Sequence, residues 1–262
     1  MLRVFITGAS SGIGAALAQR YAALGASLGL VARRQDVLEQ LRAGLPHPER
    51  HRIYPVDVTH HAALADAAAD FLAAHDGVDV VIASAGISQG TLTEYAEDLP
   101  VFGKIMETNL LATVASFAPF IPALKAQAKA GKSKGRLVGI ASVAGIRGLP
   151  GASAYSASKA ATISYCESLR VELRSSGVKV VTIAPGYIDT PMTQGNGYPM
   201  PFLMSSEKFA IATVNAIDAG TSYAVIPWQM GVVAKMLRIL PNAVYDWAFS
   251  KAPHKARGEQ KS

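Results

Sequence analysis

The sequence predicts an α/β fold: a doubly wound parallel sheet of about seven strands, with helices on both faces and a helical C-terminal extension. Two observations lead there. Short apolar runs alternate with helix-period segments along most of the 262 residues, and each right-handed strand–helix–strand crossover lays its helix over the sheet. A glycine-rich turn, T-G-A-S-S-G-I-G (residues 7–14), stands between the first apolar run and the first helical segment.

The elements follow in order. Residues 2–6 form the first strand, and 13–24 carry apolar side chains at Ile13, Ala16, Leu17, Tyr21 and Leu24, a helical period. Strands are predicted at 27–32, 52–56 (ending at Asp57), 78–83, 136–141, 179–184 and 223–227. Helices are predicted at 37–45, 61–74, 100–130, 153–176 and 206–219, and a loop rich in glycine and proline covers 186–204. No linker, internal repeat or low-complexity stretch divides the chain. One Rossmann-like domain over 1–262 is expected, with a core at 1–227 and a helical extension and basic tail at 228–262.

Half of the residues are hydrophobic and 17% are charged, so a large core is affordable and disorder is not expected. A single cysteine, Cys166, excludes an intramolecular disulfide and reads as a small buried hydrophobe; no metal site is expected. The formal charge of +6 suits an anionic partner, such as a phosphorylated cofactor, nucleic acid or an acidic membrane. No recognised nucleic-acid module is present, and nucleic acid is not expected as a partner. The opening M-L-R-V-F-I reads as a strand and not as a signal peptide, and no uninterrupted run of about 18 apolar residues occurs. A cytoplasmic protein is expected.

In a strand–turn–helix context, Gly8, Gly12 and Gly14 let the backbone turn tightly and approach a pyrophosphate, with the helix N-terminus supplying free N–H groups. An acidic residue at the end of the second strand would bind the ribose 2′-hydroxyl of NAD. This chain has Ala32, Arg33 and Arg34 there, and two guanidinium groups suit the 2′-phosphate of NADP. Asp36, the nearest acid, is placed at the start of the next helix.

Tyr155 and Lys159 lie four residues apart in Y-S-A-S-K, on one face of a predicted helix. A cation beside a phenol favours phenolate and is expected to lower the tyrosine pKa, giving a proton donor and acceptor usable near neutral pH.

The ordered motifs now resemble one family. T-G-A-S-S-G-I-G, the pair Asp57–Val58, A-S-A-G (83–86), Asn109, Ser142, Y-S-A-S-K and P-G-Y-I-D-T (185–190) are similar, in this order over about residues 1–227, to those of the short-chain dehydrogenase/reductase family. The resemblance implies hydride transfer between NADP(H) and a carbonyl or secondary alcohol. Tyr155 would be the general acid/base, Lys159 would tune it and bind the nicotinamide ribose, and Ser142 would polarise the substrate oxygen. Asn109 would hold a water linking Lys159 to solvent. Ser10, Ser11 and Ile13 in the glycine turn, Ala85 and Gly86 after the fourth strand, and Pro185 and Gly186 after the sixth would line the cofactor site. Asp57 and Val58 would contact adenine; Ile188 and Thr190 would hold the carboxamide. A homodimer or homotetramer, paired through the two long helices, is implied as well. One departure stands out: the family's usual Asn-Asn-Ala-Gly is Ala83-Ser84-Ala85-Gly86 here, a change expected to cost local stability on the order of 1 kcal/mol.

The substrate end is less specified. Met192, Tyr198, Met200, Phe202, Leu203 and Met204 in the 186–204 loop suit an apolar carbonyl compound, or else pack onto the core. Residues 228–240 are amphipathic with Lys235 and Arg238 on one side, and Pro241–Asn242 marks a new helix start. Three readings stay open for the extension, with closing the substrate pocket or filling a subunit interface favoured over lying on a membrane surface. Two alternative functions are an NADP-binding regulatory or scaffold protein without turnover, against which the intact Ser142, Tyr155 and Lys159 speak, and a peripheral-membrane reductase of lipid-like ketones.

Overall fold

In the computed structural model, residues 1–132, 135–194, 196–197, 199–250 and 257 are described. The predicted strands appear as β1 (Arg3–Thr7), β2 (Ser27–Ala32), β3 (Arg52–Pro55), β4 (Val80–Ala83), β5 (Arg136–Ile140) and β6 (Lys179–Pro185). Within the 186–204 loop, two short strands, β7 (Ile188–Asp189) and β8 (Met204–Ser205), pair with each other, and β9 (Tyr223–Ile226) follows. The main sheet has seven strands in the order β3-β2-β1-β4-β5-β6-β9, and every pair is parallel.

The helices are α1 (Gly12–Ala23), α2 (Gln35–Gly44), α3 (His61–His75), α4 (Asp98–Met106), α5 (Ala112–Phe117), α6 (Ile121–Lys129), α7 (Ser153–Glu172), α8 (Pro191–Gln194), α9 (Ser206–Ala219), α10 (Trp228–Ile239) and α11 (Asn242–Phe249). The helix expected over 100–130 is interrupted twice. A wide π-type turn (Glu107–Leu111) separates α4 from α5, and a 3₁₀ turn (Ala118–Phe120) separates α5 from α6. Pro119 and Pro122 have no N–H to give the α ladder, which accounts for the second break.

Because side chains alternate across a strand, each strand feeds two cores. Val4, Ile6, Leu28, Leu30, Ile82 and Val181 pack beneath α1 and α9, with Leu17, Tyr21, Phe209 and Ile217. Phe5, Val31, Val81, Leu137 and Val180 face α3, α5 and α7, with Phe71, Phe117 and Leu169. Phe5 anchors the second core through ring contacts at 5.4 Å to Phe71 and 4.8 Å to Phe120. Cys166 is buried in this core, and burial pushes its thiol up to about 11, so it stays neutral.

Taken across its two irregular turns, the helical stretch Asp98–Lys129, although it lacks an uninterrupted apolar run, is long and apolar enough by length and composition to cross a membrane. In this fold α4 packs on α7, and α5 packs on β4 and α3.

Strand register decides where the functional residues emerge. Thr7 is level with Val31 on one side and Ala83 on the other. Ala83 is level with Gly139, Ile140 with Ile183, and Pro185 with Ile226. The glycine turn, Arg33–Arg34, Ser84–Gly86, Ser142 and Gly186 therefore all leave the sheet at its carboxyl edge, around the point between β1 and β4 where the strand order reverses.

Candidate active site

The glycine turn is built by close approach. A Cβ on Gly8 would lie 2.7 Å from the Ala85 backbone, and Gly8 has φ +70. A Cβ on Gly14 would lie 2.2 Å from the Gly8 carbonyl oxygen. No larger residue fits either place without moving main chain. Ser11 caps α1 with extended backbone and no side-chain hydrogen bond, so the first-turn N–H groups remain available to a ligand.

At the outer end of the cleft, Arg34 Nη2 donates to Ser10 Oγ at 3.4 Å. Arg33 Nη1 is 4.0 Å from Asp57 Oδ2 and largely exposed. Burial tends to raise the Asp57 pKa, but hydrogen bonds from the Thr59 amide (3.0 Å) and hydroxyl (2.9 Å), with the charges of Arg33 and His60, outweigh it and hold the carboxyl below its ordinary value. Two cations and a hydroxyl thus converge where the second strand ends.

At the inner end, Ser142 follows β5, and the Ala141 amide donates to the Ile183 carbonyl at 2.7 Å. Ser142 Oγ accepts from the Ala144 amide at 3.1 Å, which fixes its rotamer. Tyr155 stands on the first turn of α7, one turn before Lys159. Lys159 Nζ lies 5.8 Å from the Tyr155 ring centroid and donates to the Ile140 carbonyl at 2.8 Å. Burial lowers Lys159 to about 8, while burial raises Tyr155, with a hydrogen bond to Ser142 drawing it back. The expected depression of the phenol pKa by Lys159 is therefore not what the protein alone produces. The reason is physical: the ammonium is directed at a main-chain carbonyl, and the removal of water from both groups acts against both charges.

Asn109 sits in the π-type turn and is fully buried. Its Nδ2 donates to the Ile87 carbonyl (3.0 Å) and to Ser158 Oγ (2.9 Å), and its Oδ1 accepts from the Ile87 amide (2.8 Å). The Asn109 carbonyl accepts from Thr113 and Thr162 hydroxyls. These bonds lock the segment after β4 onto α7, one residue from Lys159. Gly86 fills the gap: a Cβ there would be 3.3 Å from Asn109 Oδ1 and 3.5 Å from Lys159 Nζ.

The resulting cleft has a volume of about 480 Å³. Its wall includes Gly8, Ser10, Ser11, Gly12, Ile13, Gly14, Arg33, Arg34, Asp57, Val58, Ala85, Gly86, Pro185, Gly186, Ile188 and Thr190, with Ser142, Tyr155 and Lys159. Asn109 stands behind this wall. An elongated cleft with an open helix N-terminus in its middle and two arginines at one end fits a dinucleotide diphosphate. Ser84 also lines it, and among the described residues its hydroxyl has no protein partner.

Sequence reasoning missed Thr193. Its hydroxyl donates to the Ile188 carbonyl at 2.6 Å and accepts from the Thr190 amide at 3.1 Å, pinning the strand end that carries both. The T-P-M-T spacing was its only signal. Of the predicted apolar cover, Met192 lines the cleft, whereas Phe202 and Leu203 face solvent and Met204 packs against the core. Tyr198 lies outside the described residues, as does the basic tail apart from Ser250 and Arg257.

The extension is bolted to the segment after Ser142. Arg147 Nη1 donates to the Leu237 and Leu240 carbonyls at the end of α10, the latter at 2.8 Å, and Nη2 donates to Asn242 Oδ1 at 3.1 Å. The guanidinium stacks on Tyr245, 3.9 Å from the ring centroid, and the Tyr245 hydroxyl donates to the Gly148 carbonyl at 2.6 Å. On the other side of the cleft, Met230 of α10 closes over Gly186, where a Cβ would come within 2.6 Å of its Cγ. Replacing Arg147 with Ala removes the guanidinium's ties to both helices and leaves the Tyr245–Gly148 bond as a remaining link. We expect a loss of about 2–3 kcal/mol in urea unfolding, since charged hydrogen bonds to carbonyls are removed.

The family model for short chain dehydrogenase matches residues 3–199. An uncharacterized oxidoreductase of Myxococcus xanthus (strain DK1622) is 36% identical over 255 residues, covering 93% of this chain and 94% of its own. Among solved structures, a 3-ketoacyl-(acyl-carrier-protein) reductase from Brucella melitensis complexed with NADH superposes with a TM-score of 0.78 at 24% identity, covering 86% of this chain and 94% of its own. An alcohol dehydrogenase from Thermococcus sibiricus complexed with 5-hydroxy-NADP gives 0.75 at 24% identity, covering 86% and 96%. At that identity the two structures share the fold. With the family model spanning most of its length and a relative matched nearly end to end, the chain belongs to the short-chain dehydrogenase family.

Proposed function

We propose that the protein is an NADP(H)-dependent reductase or dehydrogenase acting on a carbonyl compound or the corresponding secondary alcohol. One observation carries this reading: Ser142, Tyr155 and Lys159 meet on the inner wall of the same cleft whose outer end holds the glycine turn and Arg33–Arg34. The NADH and NADP-derivative complexes of structurally similar proteins agree with a nicotinamide cofactor. The choice of NADP rests on the two guanidinium groups beside Ser10.

When bound, the nicotinamide supplies hydride to the carbonyl carbon, or accepts it from the alcohol carbon. The protein manages the oxygen. As negative charge grows there, the Ser142 and Tyr155 hydroxyls stabilise it by hydrogen bonding, and the Tyr155 proton passes to the oxygen to complete the alcohol. With cofactor and substrate bound, the Lys159 ammonium would offset the phenolate charge left on Tyr155, an effect the protein alone does not produce. Asn109 holds Ile87 and Ser158 and so keeps Lys159 and Tyr155 in register. Met192 gives the substrate end an apolar side chain, in keeping with an apolar substrate. Self-association through α4–α6 and α7, which expose Leu99, Leu111 and Val171, completes the reading as a homo-oligomer.

A panel of ketones and aldehydes, followed by loss of reduced-cofactor absorbance, identifies turnover. Tyr155→Phe is expected to lower kcat by at least about 100-fold, with NADPH affinity preserved in a fluorescence titration; unchanged turnover rejects Tyr155 as the acid. Replacing both Arg33 and Arg34 with Ala is expected to weaken NADPH binding about 10- to 100-fold and to leave NADH binding nearly unaltered. Equal loss for both cofactors refutes the 2′-phosphate assignment. Lys159, lowered to about 8, is cationic below that pH and neutral above it. The reduction rate is therefore expected to fall as pH rises through about 8, and a Lys159→Arg variant shifts or removes that limb in a pH–kcat profile.

A further inference from the structure

The extension has two faces with different fates. Met230, Gly231 and Ala234 of α10 and Tyr245 of α11 are buried against the domain. The opposite face is left open. Trp228 is 70% exposed, Met236 61% and Ile239 80%, and Val232 continues the same stripe at helical spacing. On α11, Val244 is exposed and Trp247 is 81% exposed. These are both of the tryptophans in the chain, residues that a folded interior normally takes in.

Charge identifies the occupant of this face. On the two helices themselves the charged side chains are Lys235 and Arg238 of α10 against Asp246 of α11, so the element that carries the long stripe is basic. A second copy seated on the α10 stripe would bring Lys235 and Arg238 of both copies together across a symmetric contact, which is unfavourable. An anionic lipid surface meets both features at once. Tryptophan prefers the headgroup boundary, an apolar stripe on a helix lying in the interface plane gains by burial, and basic residues beside it are attracted to anionic headgroups.

We propose that α10 and α11 form a peripheral docking surface for anionic phospholipid membranes. The stripe of Trp228, Val232, Met236 and Ile239, with Val244 and Trp247, enters the interface, and Lys235 and Arg238 contact the headgroups. Since Arg147 and Met230 fasten these helices to both sides of the cleft, the whole domain is held at the surface as one body. The proposal does not depend on the redox reading.

The test uses the full-length protein with vesicles of phosphatidylglycerol and phosphatidylcholine, or of phosphatidylcholine alone. Co-sedimentation with the anionic vesicles at low salt is expected, accompanied by a blue shift of tryptophan emission, and both weaken as salt rises. The double variant Met236→Glu/Ile239→Glu alters exposed positions only. It is expected to keep the wild-type circular dichroism and melting temperature and to bind anionic vesicles at least about 10-fold more weakly, given an apolar burial term of about 25 cal/mol per Å². No sedimentation with anionic vesicles at low salt overturns the proposal, as does undiminished binding by the double variant. A blue shift that develops with protein concentration in vesicle-free buffer also overturns it, by showing that a second copy covers the face.

Discussion

The structure depends on how closely two backbones approach where the strand order turns around. Gly8 leaves β1 directly against Ala85, which leaves β4, at a separation that excludes any side chain on residue 8. That contact lets the first turn fold back under its own helix, so that Gly14 sits on the Gly8 carbonyl. The open N-terminus of α1 then faces the crevice between the two halves of the sheet. Everything else in the cleft is placed relative to it, by strand register on one side and by the Asn109–Ile87 bonds on the other.

Around this point the chain separates chemistry from support. Ser142, Tyr155 and Lys159 line the cleft; the Ala144 amide holds Ser142, the Ile140 carbonyl holds Lys159, and Tyr155 on the first turn of α7 is hydrogen-bonded to Ser142. Burial works against the charged forms of both Tyr155 and Lys159. The neutral phenol suits a proton donor, and a lysine lowered to about 8 still carries its charge near neutrality. Burial thus pushes the two pKa values apart, which keeps the phenol protonated as the donor while the amine stays the charged partner below about pH 8.

Most of the fold was legible because a parallel sheet covered on both faces writes its strands as plain apolar runs. Residues 27–32 and 179–184 are of this kind. The site was legible where it lies on strand ends and on one helix face, since Thr7–Gly14, Arg33–Arg34 and Tyr155–Lys159 are local patterns. What was not legible is long-range. Arg147 meets residues more than 90 positions away, and its own surroundings, I-R-G-L-P, look like any exposed loop. The partners of Asn109 are 22 and 49 residues distant. The shift of Tyr155 depends on how much water the finished cleft removes, a quantity no spacing encodes. The 186–204 segment reads as a loop because its two-residue strands, β7 and β8, are too short to show any period.

The wide turn at Glu107–Leu111 has a consequence of its own. A π-type turn is an α-helix carrying one residue more than its ladder needs, and such turns persist mainly at functional sites. Excising one residue there would let α4 and α5 join in regular geometry with their buried faces unchanged, so Ile105 and Phe117 would keep their places in the interior. What would vanish is the bulge that turns Asn109 toward Ile87 and Ser158. The irregularity thus serves the cleft and not the helix, and a shortened relative could be well folded while its reactive wall had lost its brace.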